Sequence, residues 1–165
     1  MGSPSILERL ERGDTLVSDG ATGTYLQATG LEPGGSPEAL NIDQPELIRR
    51  MAADYFNAGA DMVLTTSFGG SRYMLKKYGY GDHVREINRL AAEHVRTVAS
   101  PWHFVVGSVG PTGELLESNA GTTADSEVHE ACVEQITALE EGGADAVVIE
   151  TMISVEEAVL AVKAA

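Results

Sequence analysis

Short apolar runs alternate with longer amphipathic stretches along the whole chain. The apolar runs begin near residues 15, 61, 104 and 145, and each gives way to Gly, Ser, Thr or an acidic residue. The stretches between them carry apolar positions three or four residues apart, which is the spacing of one helix face. A strand followed by an amphipathic helix, repeated in this way, predicts βα units with parallel strands. The pattern therefore predicts four βα units.

Turn-forming and helix-capping residues give the expected boundaries of these elements. Gly59-Ala-Asp61 and Gly143-Ala-Asp145 are the same helix end and strand start written twice. Residues 26–43 are rich in Gly, Pro, Asn and Asp, and predict one long loop. The expected helix starts and caps are Ser3 with Pro4, Pro45, Asp82, Asp125 or Ser126, and a capping box of Ser154 with Glu157. The expected buried strands contain Leu16 and Val17, Met62 to Leu64, the run from Phe104, and Ala146 to Ile149.

Four parallel units favour a barrel that is only partly present. The first three units are each longer than the roughly 30 residues of an average (β/α)₈ unit, and the surplus lies in the loops after the strands. Closing a parallel barrel takes about eight strands. We therefore predict an α/β chain of the (β/α)₈ TIM-barrel type, a single domain over residues 1–165 that forms the N-terminal half. An open, doubly wound sheet is the alternative, but Gly20-x-x-Gly23 is only a weak phosphate-loop signal.

The composition of the chain excludes some classes of binding partner but does not identify a ligand. The chain has 165 residues, 43% of them hydrophobic, and its 11 basic and 25 acidic residues give a net charge of −14. This charge argues against nucleic acid or an anionic membrane as a partner. No apolar run approaches the roughly 18 residues of a membrane helix. The single cysteine, Cys132, excludes an internal disulfide and predicts a cytoplasmic protein.

Two carboxylates stand at the carboxyl ends of predicted strands, where parallel α/β proteins bind ligands. Asp19 precedes the turn that begins at Gly20, and Glu150 follows the fourth strand. Two carboxylates at one mouth repel each other unless a cation lies between them. The alternative is that Asp19 only caps its glycine turn and that Glu150 pairs with a neighbouring Arg or Lys.

The motifs at the strand ends resemble the homocysteine-binding barrel. This barrel is the S-methyltransferase domain of cobalamin-dependent methionine synthase, betaine-homocysteine methyltransferase and related enzymes. The resemblance covers nearly the whole chain but only the first half of that domain. It rests on Asp19-Gly-Ala-Thr-Gly-Thr24, Asn41 to Pro45, Gly59-Ala-Asp61, Thr65-Thr-Ser-Phe-Gly69, Lys77-Tyr-Gly79, Gly107-Ser-Val-Gly-Pro-Thr-Gly113 and Ile149-Glu-Thr151.

The resemblance implies an amino-acid site made by four residues. It assigns Asp19 and Glu150 to the amino group of homocysteine, and it implies that groups around Gly20 and Thr65 help to hold the substrate. Methionine synthases carry Thr-Asn-Thr-Phe where this chain has Thr65-Thr-Ser-Phe68. Any contact made by that asparagine is therefore not carried over.

The resemblance also implies a zinc ion, but this sequence lacks the cysteines that bind it in the family. In the family, zinc deprotonates the homocysteine thiol and is held by one cysteine after a later strand and by a Cys-Cys pair near the barrel's end. This chain has only Cys132, on the apolar face of a predicted helix, and its four histidines show no His-x-x-x-His spacing. We expect no metal ligands and no catalytic residues here, so the isolated chain binds no catalytic zinc and transfers no methyl group.

Two functions remain open at this point. The chain is part of a homocysteine S-methyltransferase that makes methionine, completed by a C-terminal half-barrel and by an unknown methyl donor, such as a corrinoid on a separate domain. Alternatively, it is a non-catalytic binding or scaffold module, a half-barrel that forms a homodimer through the unpaired edges of its sheet.

Overall fold

The structure, a computed structural model, describes residues 4–165 and contains one parallel sheet. The three strands are β1 (Met62–Leu64), β2 (Phe104–Val109) and β3 (Ala146–Ile149). The helices are α1 (Ile6–Glu11), α2 (Thr22–Ala28), α3 (Leu40–Asp43), α4 (Pro45–Asn57), α5 (Arg72–Lys77), α6 (Val84–Val98), α7 (Asp125–Glu141) and α8 (Val155–Ala164). Two 3₁₀ turns, Gly81–His83 and Glu117–Asn119, complete the described elements.

The sheet order follows the chain order. Strand β2 lies between β1 and β3, with Val63 opposite Val105 and Val106 opposite Ala146. Helices α5 and α6 connect the first pair of strands, and α7 connects the second. The predicted parallel α/β arrangement and the positions of its last three strands are therefore confirmed, but β3 is only partly buried along its whole length, where a buried strand was expected.

The first predicted strand is wrong as a buried element. Leu16 is only partly buried, Val17 is 54% exposed, and the segment makes a single parallel bridge, from Ser18 to Met62. The Val17 carbonyl accepts a hydrogen bond from the Asp61 amide at 2.8 Å. The segment thus lies beside β1, but no described strand covers its other side. An apolar pair at a sheet edge stays exposed for that reason.

The N-terminal third contains helices where a loop and another cap were expected. Helix α1 begins after Ser5, which forms a capping box with Glu8, and not at Pro4; the expected cap Ser3 lies outside the described residues. Helices α2 and α3 occupy part of the expected 26–43 loop. Leu26 of α2 is fully buried in a cluster with Leu40, Leu47, Ile48 and Met51. This packing outweighs the local turn composition.

Three further cap predictions also change. Asp82 lies in a 3₁₀ turn before α6, and α7 begins at Asp125 with no side-chain cap. Ser154 does cap α8, accepting a hydrogen bond from the Glu157 amide at 3.1 Å. The Glu157 carboxylate does not complete the box. It is buried and accepts hydrogen bonds from the amide and the hydroxyl of Thr112, each at 2.7 Å.

The repeated Gly-Ala-Asp motif joins neighbouring strand starts. Asp61 accepts a hydrogen bond from the Val17 amide at 2.9 Å, and Asp145 accepts one from the Val105 amide at 2.8 Å. Asp145 also forms an ion pair with Arg96 of α6. Each aspartate therefore accepts a hydrogen bond from the neighbouring strand segment at the amino end of the sheet. This end is opposite the end where the strands give way to Gly, Ser and Thr.

The main core lies between the strands and helices α4, α6, α7 and α8. It includes Val63, Val105, Val109, Ile136 and Leu139. Helix α8 also leaves apolar residues uncovered. Its residues Val155, Val159 and Val162, spaced four and three apart, are 75%, 44% and 63% exposed.

Among the described helices, none is long and apolar enough to cross a membrane.

Candidate functional site

A cavity of about 370 Å³ opens at the carboxyl ends of the strands. Its wall contains the carboxylates of Glu38 and Glu150, the aromatic ring of Phe68, and five hydroxyl side chains, which belong to Thr22, Thr65, Thr66, Ser67 and Ser108. Among the described residues, no lysine, arginine or histidine lines it. The lining residues are 20–23, 37–38, 64–68, 108 and 150.

Asp19 stands beside this cavity with both oxygens hydrogen-bonded. Its Oδ2 accepts from the Leu64 amide at 3.0 Å, and its Oδ1 accepts from the Ser18 hydroxyl at 3.0 Å. Burial raises the pKa of Asp19 above its ordinary value, and the negative charge of Glu150 raises this pKa further. No positively charged side chain therefore offsets the charge of the ionised Asp19 carboxylate among the causes of this shift. The alternative role considered for Asp19, a cap on its glycine turn, is not observed, because its side chain accepts hydrogen bonds from Leu64 and Ser18 instead.

Glu150 is placed by the strand ladder. Its amide donates to the Val109 carbonyl at 3.0 Å, and its Oε1 accepts from the Ser108 hydroxyl at 2.6 Å. Within residues 4–165, no ion pair joins Glu150 to an Arg or Lys. The next residue, Thr151, has a φ of 57°, a left-handed backbone conformation that threonine rarely adopts. Such strain concentrates at functional sites.

The Thr65 hydroxyl belongs to a network beneath the cavity. Its Oγ1 accepts from the Ser108 amide at 3.1 Å and lies 2.6 Å from the Ser67 hydroxyl oxygen. Ser67 donates its own proton to the Ser108 carbonyl at 2.7 Å, so Thr65 donates to Ser67. The Thr65 hydroxyl proton is thus engaged inside the protein. A contact between this residue and the substrate stays a prediction.

Gly20 lines the cavity at a point where a side chain would make a tight contact with Tyr55. A Cβ atom on Gly20 would lie 3.1 Å from Cε1 of the Tyr55 ring. The Tyr55 hydroxyl donates to the Ala21 carbonyl at 3.0 Å and holds this turn in place. Glycine at position 20 therefore allows the turn to pack closely on α4.

Glu38 is a cavity residue that the sequence did not reveal. It is 6% exposed, its Oε1 accepts from the Gly69 amide at 2.8 Å, and its Oε2 accepts from the Ser36 hydroxyl at 2.8 Å. The only signal was an acidic residue after Pro37 in a stretch expected to be a loop. Glu38 therefore joins that stretch to the turn that follows β1.

Three buried amide side chains hold the backbone after β1 from behind. Asn41 donates to the Thr66 carbonyl at 2.8 Å, and Gln135 donates to the Ser67 carbonyl at 2.7 Å. Asn88 donates to the Gly70 carbonyl at 2.8 Å. The cavity wall at residues 66–70 is therefore anchored to α3, α6 and α7.

The described residues do not fit a zinc site. Within residues 4–165, no group of three or more His, Cys, Asp or Glu side chains is placed to hold a metal ion. Burial in α7 raises the pKa of the Cys132 thiol to about 11, and the Glu157 charge adds to the shift. Zinc binds the thiolate, which this environment disfavours. Absence of zinc from the isolated protein stays a prediction for metal analysis.

His94 is buried for a structural reason. Its Nδ1 lies 2.9 Å from Nη1 of Arg49, which can only donate, so Nε2 carries the proton and donates to the Asn41 carbonyl at 2.9 Å. Burial lowers the pKa of His94. The neutral ring thus supports α3 and the Asn41 contact behind the cavity.

A comparison with protein-family models decides the family. The model described as homocysteine S-methyltransferase matches residues 16–165. This chain belongs to the homocysteine S-methyltransferase family. The match includes the segment from Asp19 to Gly23 and every described strand, so the cavity lies wholly inside the family domain.

Similar proteins agree with this assignment. The methionine synthases of Mycobacterium tuberculosis and Mycobacterium leprae are 34% and 36% identical to this family member over 150 residues. Each alignment covers 82% of this chain and 12% of the relative. The chain therefore spans about an eighth of the length of these relatives.

Solved structures show the same fold. The homocysteine methyltransferase MmuM from Escherichia coli matches with a TM-score of 0.79 and 24% identity in its oxidized form, covering 94% of this chain and 59% of that one. Its metallated form matches with a TM-score of 0.80 and 22% identity, covering 96% and 61%. The three-stranded parallel sheet of this family member thus corresponds to part of that fold.

Proposed function

We propose that the cavity binds homocysteine and that residues 1–165 form one domain, the N-terminal, amino-acid-binding half of a homocysteine S-methyltransferase barrel. The observation that carries this proposal is the pair of carboxylates, Asp19 and Glu150, at a cavity without a basic side chain among the described residues. An α-ammonium group supplies the missing positive charge. Family membership supports homocysteine as the amino acid that brings it.

In this proposal the chain's residues bind and orient the substrate. Asp19 and Glu150 accept hydrogen bonds from the ammonium group, while Ser108 holds the Glu150 carboxylate at 2.6 Å. Gly20 and the backbone near Thr65 hold the rest of the amino acid. The thiol, like that of cysteine, has a pKa near 8.5 and is mostly protonated at neutral pH. Residues 4–165 contain no cluster of side chains placed to hold a thiol-activating metal ion, so we assign thiol activation and methyl transfer to other parts of a complete enzyme.

The methyl donor is left open by the site. The methionine synthase relatives are much longer than this chain, which supports further domains as partners. A corrinoid carried on such a domain is one candidate donor.

Isothermal titration calorimetry with L-homocysteine under reducing conditions tests the proposed function. We expect saturable binding, and binding roughly 100-fold weaker for 4-sulfanylbutanoate, which lacks the amino group, because hydrogen bonds to charged groups contribute about 1.5–3 kcal/mol each. A folded chain that binds no homocysteine, or that binds both compounds equally, would contradict the proposal.

A self-associating half-barrel is the second candidate. The exposed stripe of Val155, Val159 and Val162 on α8 favours it, because uncovered apolar surface of this kind marks association sites. The stripe would suit either a second copy of the chain or a further half-barrel. A stable homodimer in light scattering, together with no homocysteine binding, would favour this scaffold function.

A further inference from the structure

Thr66 carries a buried hydroxyl that forms no hydrogen bond within the described part of the protein. The residue lines the cavity and is 3% exposed, and its Oγ1 has no hydrogen-bond partner among residues 4–165. A buried polar group left unpaired destabilises the folded state. Its neighbours Thr65 and Ser67 both spend their hydroxyl protons within the network that reaches Ser108. Thr66 therefore differs from the hydroxyls on either side of it.

The Thr66 backbone is fixed although its hydroxyl is unpaired. Its carbonyl accepts the hydrogen bond from Asn41 at 2.8 Å, and Asn41 also donates to the Glu38 carbonyl at 2.9 Å. With the backbone held in this way, the position of the hydroxyl is set by the choice among the staggered χ1 rotamers. The Oγ1 atom is enclosed, so contact with a ligand in the cavity requires a change of the χ1 rotamer while the backbone stays in place.

The cavity needs a neutral donor for a carboxylate. Homocysteine brings a carboxylate as well as an ammonium group, and no Lys, Arg or His is among the described residues that line the cavity. Glu38 and Glu150 can only accept hydrogen bonds when ionised. The Ser108 hydroxyl already donates to Glu150. Thr22 also lines the cavity but is only partly buried, whereas the Thr66 hydroxyl is both buried and unpaired. A hydroxyl that donates to a carboxylate forms a strong, charge-assisted bond.

We propose that the Thr66 hydroxyl donates a hydrogen bond to the α-carboxylate of homocysteine and is a further substrate-binding residue. The proposal rests on the proposed function, because it requires homocysteine in this cavity. It divides recognition in two. Asp19 and Glu150 bind the ammonium end, and Thr66 binds the carboxylate end.

A cycle of two variants and two ligands tests this assignment. The variants are Thr66→Val, which keeps the shape and removes the hydroxyl, and Thr66→Ser, which keeps the hydroxyl. The ligands are L-homocysteine and 3-aminopropane-1-thiol, which is homocysteine without its carboxylate. We expect Thr66→Val to bind homocysteine about 10-fold or more weakly and to bind the aminothiol within about twofold of the wild type. Thr66→Ser should retain most of the affinity for homocysteine.

Several results would overturn the assignment. If Thr66→Val binds homocysteine as tightly as the wild type, the hydroxyl makes no contact with the substrate. If it loses affinity for both ligands equally, the residue acts only through structure. Thermal unfolding adds an independent check, because removing an unpaired hydroxyl should leave the melting temperature unchanged or higher. A wild-type chain that binds no homocysteine would instead show that the proposed function itself is wrong.

Discussion

Asp19→Asn and Glu150→Gln should each weaken homocysteine binding about 10- to 100-fold, the largest effect on binding that the structure predicts. Each substitution keeps the size of the side chain and removes one negative charge facing the ammonium group. Hydrogen bonds to charged groups contribute about 1.5–3 kcal/mol, and 1.4 kcal/mol corresponds to a factor of ten. Calorimetric titration of both variants at neutral pH measures the effect.

Stability separates this loss from misfolding. The pKa of Asp19 is raised in the folded protein, so ionisation of Asp19 opposes folding at neutral pH, and the folded form gains stability as the pH falls toward that pKa. Asp19→Asn should therefore melt at the wild-type temperature or above. Glu130→Gln, on the exposed face of α7, is the matched control and should bind normally. Normal affinity in both site variants would leave the carboxylates without a role in binding.

Gly70→Ala should give the largest loss of stability near the site. A Cβ atom at position 70 would lie 2.2 Å from Oδ1 of Asn88, 2.8 Å from Nε2 of Gln135 and 2.8 Å from the Ser67 carbonyl oxygen. The clash breaks the buried amide contacts that anchor the cavity wall. Overpacking and unpaired buried polar groups together cost about 3 kcal/mol. For a chain of this size that lowers the melting temperature by roughly 6–12 °C.

Gly81→Ala is the control for this prediction. A Cβ atom there would lie 3.4 Å from Cβ of Lys76, an ordinary contact, and the position does not have a left-handed backbone. It should melt close to the wild type, as measured by circular dichroism. If Gly70→Ala has the same melting temperature as Gly81→Ala, the cavity wall at residues 66–70 can absorb the extra Cβ atom, and the prediction is wrong.

The sequence predicted those parts of the fold that depend on local pattern. The β2 and β3 strands, and β1 within its run, are apolar stretches bounded by glycine and polar residues, so composition alone locates them. Leu16 and Val17 have the same composition, but their burial depends on a neighbour outside the segment. Helix α2 was hidden for a related reason, because Leu26 is buried by contacts with α3 and α4 that local turn residues do not reveal.

The candidate site was predictable in its strand-end residues only. Asp19, Gly20, Thr65 and Glu150 follow apolar runs directly, and the structure brings Gly20, Thr65 and Glu150 into one cavity with Asp19 beside it. Glu38 reaches this cavity through a contact with Gly69, 31 residues away. The amides behind the wall are similarly distant, as the Gln135 contact with Ser67 spans 68 residues. Contacts of that range leave no local signal in a single sequence.

The pKa of Asp19, followed by carboxyl ¹³C NMR with and without saturating homocysteine, tests the central claim most directly. Without ligand, the pKa should lie above its ordinary value of 3.8, because burial and Glu150 disfavour the ionised form. An ammonium group bound between Asp19 and Glu150 stabilises that form, so homocysteine should lower the pKa, and affinity should fall as the pH drops through it. A pKa of Asp19 that stays the same or rises on saturation would contradict an ammonium group at this position.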